Sequence, residues 1–308
     1  MTRFALRRLL AAIPIGLIVT LGVFALVFLM PGDPIRELAG DKPIPASVLA
    51  AKRAEFHLDQ PFLMQYWLYM KDIFTGHFGQ TFDGRDIGAQ LALRIPVTLR
   101  LAVLANLFQW TAGLLFGIYA GFRRNGTVDR LLMLSTLVVL AVPFLVVAFA
   151  AQYLFGVELG WFPVSGAGDG FPQSYLLPAL VIALLSFAAL ARLVRTSIVD
   201  TATSDFVKTA RAKGLSEQRV LWRHILPNAM LPVVTFVGLD MAAIFAGAVL
   251  TESIFNLPGL GQFLFQGIRF KEGGVVILLS TLAFVSFIAI NLLVDILYGV
   301  LDPRVRNG

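Results

Sequence analysis

Residues 274–298 read GVVILLSTLAFVSFIAINLLVDILY, twenty-five positions with a single charge, Asp295. A helix of that length rises about 37 Å, enough to cross ~30 Å of hydrocarbon. Five further apolar runs are long enough to do the same: Leu9–Met30, Val97–Phe122, Leu131–Phe155, Leu176–Val194 and Asn228–Leu250. Together the six occupy a little under half of the 308 residues, and the mean hydropathy is +0.79. In lipid only helices and closed barrels satisfy every backbone group, and a barrel needs ~10-residue alternating segments, which these unbroken runs are not. The sequence predicts an all-α integral membrane protein with six transmembrane helices.

Composition agrees. Hydrophobic residues make up 57% of the chain and charged residues 14%, where soluble chains average about 25%. This excludes a soluble enzyme and a disordered adaptor. With no cysteine there is no disulfide framework, thiolate nucleophile or cysteine-ligated metal, and redox compartment cannot be read. The net charge of +6 is topological. Segments 1–8, 123–130, 195–227 and 299–308 hold fourteen Lys and Arg in 59 positions; segments 31–96, 156–175 and 251–273 hold nine in 109, beside twelve acidic residues. The positive-inside rule then places the first set, with both termini, in the cytoplasm. Nothing in this pattern points to nucleic acid; the partner it implies is the lipid bilayer.

The division that follows has four parts. Residues 1–30 are a cytoplasmic end and first span, read as uncleaved: its run is longer than a signal core and no A-x-A-like site ends it. Residues 31–96 form an extracytoplasmic subdomain, 97–301 a five-helix core, and 302–308 a cytoplasmic tail. Within 31–96, Ala46–Phe56 has helical composition with Ser47 as N-cap, and Tyr66, Trp67, Tyr69, Ile73 and Phe74 read as an amphipathic piece at headgroup level. The subdomain serves either as a contact for a partner or as a cap over the helices.

Inside the spans, Gly113, Gly117 and Gly121 recur every four positions on one face, a spacing that admits a neighbouring helix closely, whether as static packing or as a hinge. Gly238, Ala242 and Ala246 repeat the device, and Pro143 should kink its span. Asp240 falls near the bilayer centre, where a charge costs about 2.5–3.5 kcal/mol and must face protein or water. It reads either as lining of a translocation path or as partner to a basic or amide group on a neighbouring helix. Asn291 and Asp295, a turn apart, suit an anchor at the inner end of the last span.

Segment 195–227 is the functional candidate. A short helix is expected from Asp205 to Lys213, with Ser204 as N-cap, Asp205 in the first turn, and Arg211 and Lys213 in the last. Gly214 supplies a left-handed C′ position and Leu215 the hydrophobic contact after it. A second helix starts at Ser216-Glu217, and Pro227 precedes the next span. Phe206, Val207 and Ala210 form a narrow apolar side. Such a knob suits a groove on another protein or, equally by composition, an anionic lipid surface.

Here Thr209-Ala210-Arg211-Ala212-Lys213-Gly214, with Leu226-Pro227 after eleven residues, resembles the EAA loop of bacterial ABC importer permeases. Lys208 stands where that pattern has glutamate, Thr209 replaces an alanine and His224 an isoleucine; the T-A-R-A-K-G-L-S form resembles the peptide-importer branch. Leu29-Met30-Pro31-Gly32-Asp33-Pro34, Thr251-Glu252-Ser253-Ile254-Phe255 with Pro258-Gly259-Leu260-Gly261, Asn291-Leu292-Leu293-Val294-Asp295 and Leu301-Asp302-Pro303-Arg304 are similar to the B-type subunit of dipeptide/oligopeptide/nickel permeases, in the same order. Lys271-Glu272-Gly273-Gly274 departs from that family's wording. The resemblance implies the type I, MetI-like architecture and a channel half without catalysis. Its partners would be a second, C-type permease, two ATP-binding subunits or one fused ATPase carrying ATP and magnesium, and an extracytoplasmic peptide-binding protein, all at the bacterial inner membrane. The coupling element would comprise Asp205, Lys208, Thr209, Ala210, Arg211, Ala212, Lys213, Gly214, Leu215, Leu226 and Pro227. Related importers also carry nickel, glutathione or other small solutes.

The chain lacks chemistry of its own. It contains no G-x-x-x-x-G-K-[ST], G-x-S-x-G or H-E-x-x-H. Its histidines, His57, His77 and His224, fall on opposite sides by the topology above, so no cofactor or metal site is expected. Gly166, Gly168 and Gly170 read as a flexible connection. An ion-coupled secondary transporter using Asp240 and Asp295 is the rival from another class; it predicts internal repeats with broken helices, and none is convincing. A membrane-bound assembly or sensor protein whose loop recruits a soluble partner is a second rival.

Overall fold

Each apolar run folds into a helix because the helix alone satisfies its backbone within the segment. The computed structural model describes residues 2–28, 53, 57, 59–81 and 83–301. In chain order the helices are α1 Thr2–Phe28, α2 Phe62–Thr75, α3 Ile87–Phe122, α4 Thr127–Ala141 and α5 Phe144–Ala151. Then come α6 Gln173–Ala202, α7 Asp205–Ala212, α8 Glu217–Val220, α9 Leu226–Ile254, α10 Leu260–Arg269 and α11 Gly273–Leu301. Four of these segments are long and apolar enough to cross a membrane, or five if one sharply bent pair is counted; α1 contributes a shorter apolar stretch, Ala12–Val27. The expected helix at Ala46–Phe56 (apart from Arg53), the Met30–Pro34 exit and the 302–308 tail lie outside the described residues.

Three boundaries differ from the sequence reading. Span three, expected as one kinked helix over Leu131–Phe155, is two arms bent by 101°. Val142 is extended (φ −92°, ψ 129°), as a residue before proline prefers, and Pro143 caps α5 instead of continuing α4. Two extended residues in succession break the ladder rather than bend it. A π-helical turn, Gln152–Glu158, follows α5. Span two starts ten residues earlier than Val97, because the Asp86 carboxylate accepts a hydrogen bond from the Ala89 amide at 2.6 Å and caps α3, which carries Pro96 inside it.

Span five also begins earlier, and the expected second short helix is not separate from it. α8 runs through a π-helical turn, Leu221–Ile225, directly into α9. The π turn bonds Leu226 N–H to the Leu221 carbonyl just ahead of Pro227, which has no N–H to donate.

The backbone groups into two units, Met1–Thr98 with Pro258–Leu292, and Leu99–Leu257 with Leu293–Gly308. In the first, Phe24 of α1 is fully buried, with the rings of Phe62, Tyr66 and Tyr69 edge-on at 5.2, 5.5 and 5.7 Å. Thr20 and Tyr66 hydroxyls share a 2.8 Å hydrogen bond beside them. Ile87, Leu91, Phe263, Val275 and Leu278 form a neighbouring cluster, and the buried Arg94 guanidinium lies 4.6 Å over the Phe263 ring. In the turn ahead of α3, hydrogen bonds from Arg85 and Thr81 hold the Asp83 carboxyl down at about 2.

In the second unit α3 meets α6 along the glycines read from the sequence. A β-carbon on Gly113 would stand 2.7 Å from Leu190 Cδ2, and one on Gly117 2.7 Å from Val194 Cβ and 2.8 Å from the Ala191 carbonyl oxygen. On Gly121 it would stand 2.9 Å from Ile198 Cβ. Real β-carbons do not come this close, so the helices approach backbone to backbone. α4 is tied to α6 by charge: Arg195 donates from Nε and Nη2 to the two Asp129 oxygens, both at 2.9 Å, while Arg192 Nη2 donates to Thr136 Oγ1 at 3.0 Å.

Candidate functional site

The knob is built from α7 and α8, joined by a left-handed turn. α7 starts at Asp205, as the Ser204 position requires, but Ser204 makes no side-chain cap: its hydroxyl donates to the Thr201 carbonyl at 2.6 Å. At the other end Gly214 has φ +77°. Its N–H bonds to the Arg211 carbonyl at 2.9 Å and the Leu215 N–H to the Ala210 carbonyl at 3.4 Å. That pair of bonds is the Schellman arrangement, and Leu215 supplies its apolar contact.

Two arms are clasped by charge. Arg211 donates to both oxygens of Glu217, from Nε at 2.9 Å and Nη2 at 3.1 Å, and reaches the Ala202 carbonyl with Nη1 at 3.4 Å. The Lys208–Asp205 pair at 2.9 Å is fully in solvent and contributes little. Arg211 therefore staples the end of α6 and the start of α8 onto α7 from one side chain.

Beneath the clasp lies an apolar seat. Val207 and Ala210 are buried in a cluster with Leu190, Val194 and Ile198 of α6 and Val220, Leu221, Ile225, Ala229 and Val233 of the α8–α9 rod. Leu215 and Leu226 pack on its margin, and Ser197 Oγ donates to the Ala229 carbonyl at 2.6 Å. The seat joins α7 to both long helices at once. Phe206, expected on the apolar side, points away and is 46% exposed, as is Trp222 at 64%. Asp205, Lys208, Thr209, Arg211, Ala212, Lys213 and Pro227 are exposed too. The outward side of α7 thus presents Lys208, Arg211 and Lys213 beside Asp205 and Glu217, with the exposed Phe206 among them, while Trp222 is exposed on the α8–α9 rod.

Asp240 is placed away from the knob. It is 9% exposed, accepts a hydrogen bond from Gln109 Nε2 of α3, and accepts another from Ser186 Oγ of α6 at 2.9 Å. An amide partner on a neighbouring helix, one of its two expected surroundings, is present. Asn291 Nδ2 donates to the Phe287 carbonyl at 3.0 Å within its own helix, and Asp295 lies beyond the residues whose side chains are described. Gln109, Ser186 and the Asp129–Arg195 pair are functional neighbours that the sequence motifs do not single out; lone polar residues in or beside apolar runs are the signal that marks them. No cluster of metal-ligating side chains occurs among the described residues.

Residues 113–307 match the family model described as binding-protein-dependent transport system inner membrane component, and residues 1–102 match its N-terminal companion. The chain is 37% identical over 307 residues to a Salmonella paratyphi A protein named glutathione transport system permease protein GsiC, covering 99% of each. The protein of that name in Escherichia coli strain K12 is 36% identical over the same length, with the same coverage. Among solved structures, an inward-facing MetNI methionine ABC transporter chain superposes with a TM-score of 0.57 at 15% identity, over 70% of this chain and 98% of that one. At that identity the likeness is one of fold.

Proposed function

The chain belongs to the family of binding-protein-dependent transport system inner membrane components, the non-catalytic permease subunits of ABC importers, and on that premise we propose that it imports short peptides, tripeptides of the glutathione kind among them. It is a multi-pass inner-membrane protein whose family implies ATPase partners and a binding protein. In the proposed assembly it crosses the membrane six times with both termini in the cytoplasm. It forms half of the pathway beside a second permease, and an extracytoplasmic binding protein delivers the cargo.

The knob at 204–227 is the proposed coupling element. The observation that supports this most is mechanical: α7 is seated on α6 and on the α8–α9 rod together, while its opposite face stays exposed. A partner gripping that face moves two long helices as one body, the kind of switch rigid elements permit. The narrow seat and the Arg211–Glu217 clasp keep the grip from slipping.

Reconstitution in proteoliposomes with the ATPases, second permease and binding protein tests the reading. Peptide uptake should require all of them and ATP; uptake by this chain alone under an ion gradient would overturn it. Gly214→Val forces a β-branched residue into φ +77°, at about 1–2 kcal/mol, a roughly tenfold shift away from the capped turn. The expected result is ATP hydrolysis retained and uptake cut about tenfold. Normal uptake in that variant would remove the coupling assignment.

A further inference from the structure

In the second unit, the chain between the π-helical turn at Gln152–Glu158 and α6 is fixed at its root and lightly held beyond it. The Trp161 and Phe162 N–H groups both bond the Phe155 carbonyl, at 2.9 and 3.3 Å, and the Trp161 ring stands 5.7 Å from that of Phe155. After Pro163 the backbone crosses to the end of α9. There Gln152 donates from Nε2 to carbonyls on two separate segments, Val164 at 2.8 Å and Ile254 at 3.2 Å. The Gly166 N–H adds one bond, to the Phe255 carbonyl at 2.8 Å. Apolar burial contributes little on the loop's side, where Val164 is 41% exposed and Ser165 is exposed. The α9 end beneath is sealed, with Thr251, Glu252 and Phe255 buried. Gly166 and Gly170 have φ +82° and +74°, and a β-carbon on either would meet nothing within 4 Å, so these glycines serve backbone rotation rather than packing.

We propose that residues 163–170 are a strap that closes the outer mouth of the translocation path, and that Gln152 is its latch, a positioning residue tying the strap to α9. The inference rests on the permease reading above. Its strength lies in what the latch joins. Ile254 is the last residue of α9, the helix that continues the knob, whereas Val164 belongs to a loop hung between α5 and α6. Movement of the knob therefore arrives at the latch. A shift of about 1 Å at Ile254 takes its 3.2 Å bond beyond hydrogen-bonding reach. The two carbonyls share one donor group, so removing that amide leaves two acceptors facing each other. Separation then lets water satisfy both, which favours the open strap. Few bonds, little buried apolar surface and glycines with free rotation are the marks of a segment that opens at low cost.

The chain has no cysteine, so Val164→Cys with Ile254→Cys supplies a pair that a short bis-methanethiosulfonate can bridge in the assembled importer. Bridging should be efficient at rest. Adding Gln152→Glu, the same size with no hydrogen to donate, should slow it about fivefold, the weight of one hydrogen bond. Gln152→Met, matched in length and uncharged, should do the same and serves where the carboxylate prevents assembly. ATP hydrolysis without binding protein should rise in either variant, whereas a merely structural lesion would leave it level or lower it. Conversely, the bridged importer should lose uptake and regain it when reductant cleaves the bridge. Unchanged bridging in the variant that assembles, unstimulated hydrolysis that does not rise, or undiminished uptake in a fully bridged importer would each overturn the latch. Bridging is read without cargo or nucleotide, so a failure of the permease reading, seen as uptake independent of the ATPases, stays distinguishable from a failure of the strap.

Discussion

The α3–α6 seam and the α1–α11 pair are both helix contacts that use glycine, and they end in opposite results. Along the seam three glycines repeat at four-residue spacing, and each faces the body of a side chain: Leu190, Val194, Ile198. At Gly117 and Gly121 backbone carbonyls, Ala191 and Arg195, press in behind. Between α1 and α11 a single glycine, Gly16, faces only the outer edge of the Phe284 ring, 2.9 Å from Cε1. One small residue brings the helices together at a point; three bring them together along a line. The first arrangement leaves a cavity beside the contact, and the second sets backbone close against backbone.

Substitutions in the two places should separate accordingly, read as thermal stability of the detergent-purified protein. Gly117→Leu should have the largest effect, a loss of about 3 kcal/mol, the upper end of overpacking costs, because a carbonyl on α6 cannot rotate aside. If it costs under ~1 kcal/mol, the seam is looser than its geometry implies. Asp240→Ala comes next. It strands the Gln109 amide and the Ser186 hydroxyl that stitch α3 and α6 to α9, and should cost about 1–2 kcal/mol. Asp240→Asn retains an acceptor and should recover most of that loss, which distinguishes a hydrogen-bonded stitch from a required charge. Gly16→Ala should be smallest, within about 0.5 kcal/mol, since the Phe284 ring can swing into the neighbouring cavity. A Gly16→Ala penalty equal to that of Gly117→Leu would erase the distinction between the two contacts.

What could be read beforehand follows the same division. A small residue every fourth position is a pattern within one segment, so Gly113, Gly117 and Gly121 announced a close approach, and Gly214 announced a left-handed turn from its place after Arg211 and Lys213. The cavity beside the Gly16 contact could not be foreseen, because its emptiness belongs to three helices drawn from residues 12–20, 66–75 and 281–288. Gln109 as the partner of Asp240 is hidden for the same reason: the two stand 131 positions apart in the chain. Pro143 marked a disturbance, but the size of the bend depends on Val142 being extended as well. At Ile87 the charge of Arg94 and the presence of Pro96 disguised a helix as a loop, while the Asp86 cap that starts it is a single local hydrogen bond. Polarity alone groups Phe206 with Val207, yet consecutive residues on a helix point about 100° apart, and of the two only Val207 reaches the seat.

The passage of α8 through its widened turn into α9 turns 38 consecutive residues into one lever. From Glu217 to Ile254 it is roughly 55 Å long, so a tilt of about 10° about one end sweeps the other through roughly 10 Å. A nudge too slight to unseat Val207 from its cluster would still carry the far tip a distance comparable to the width of a peptide.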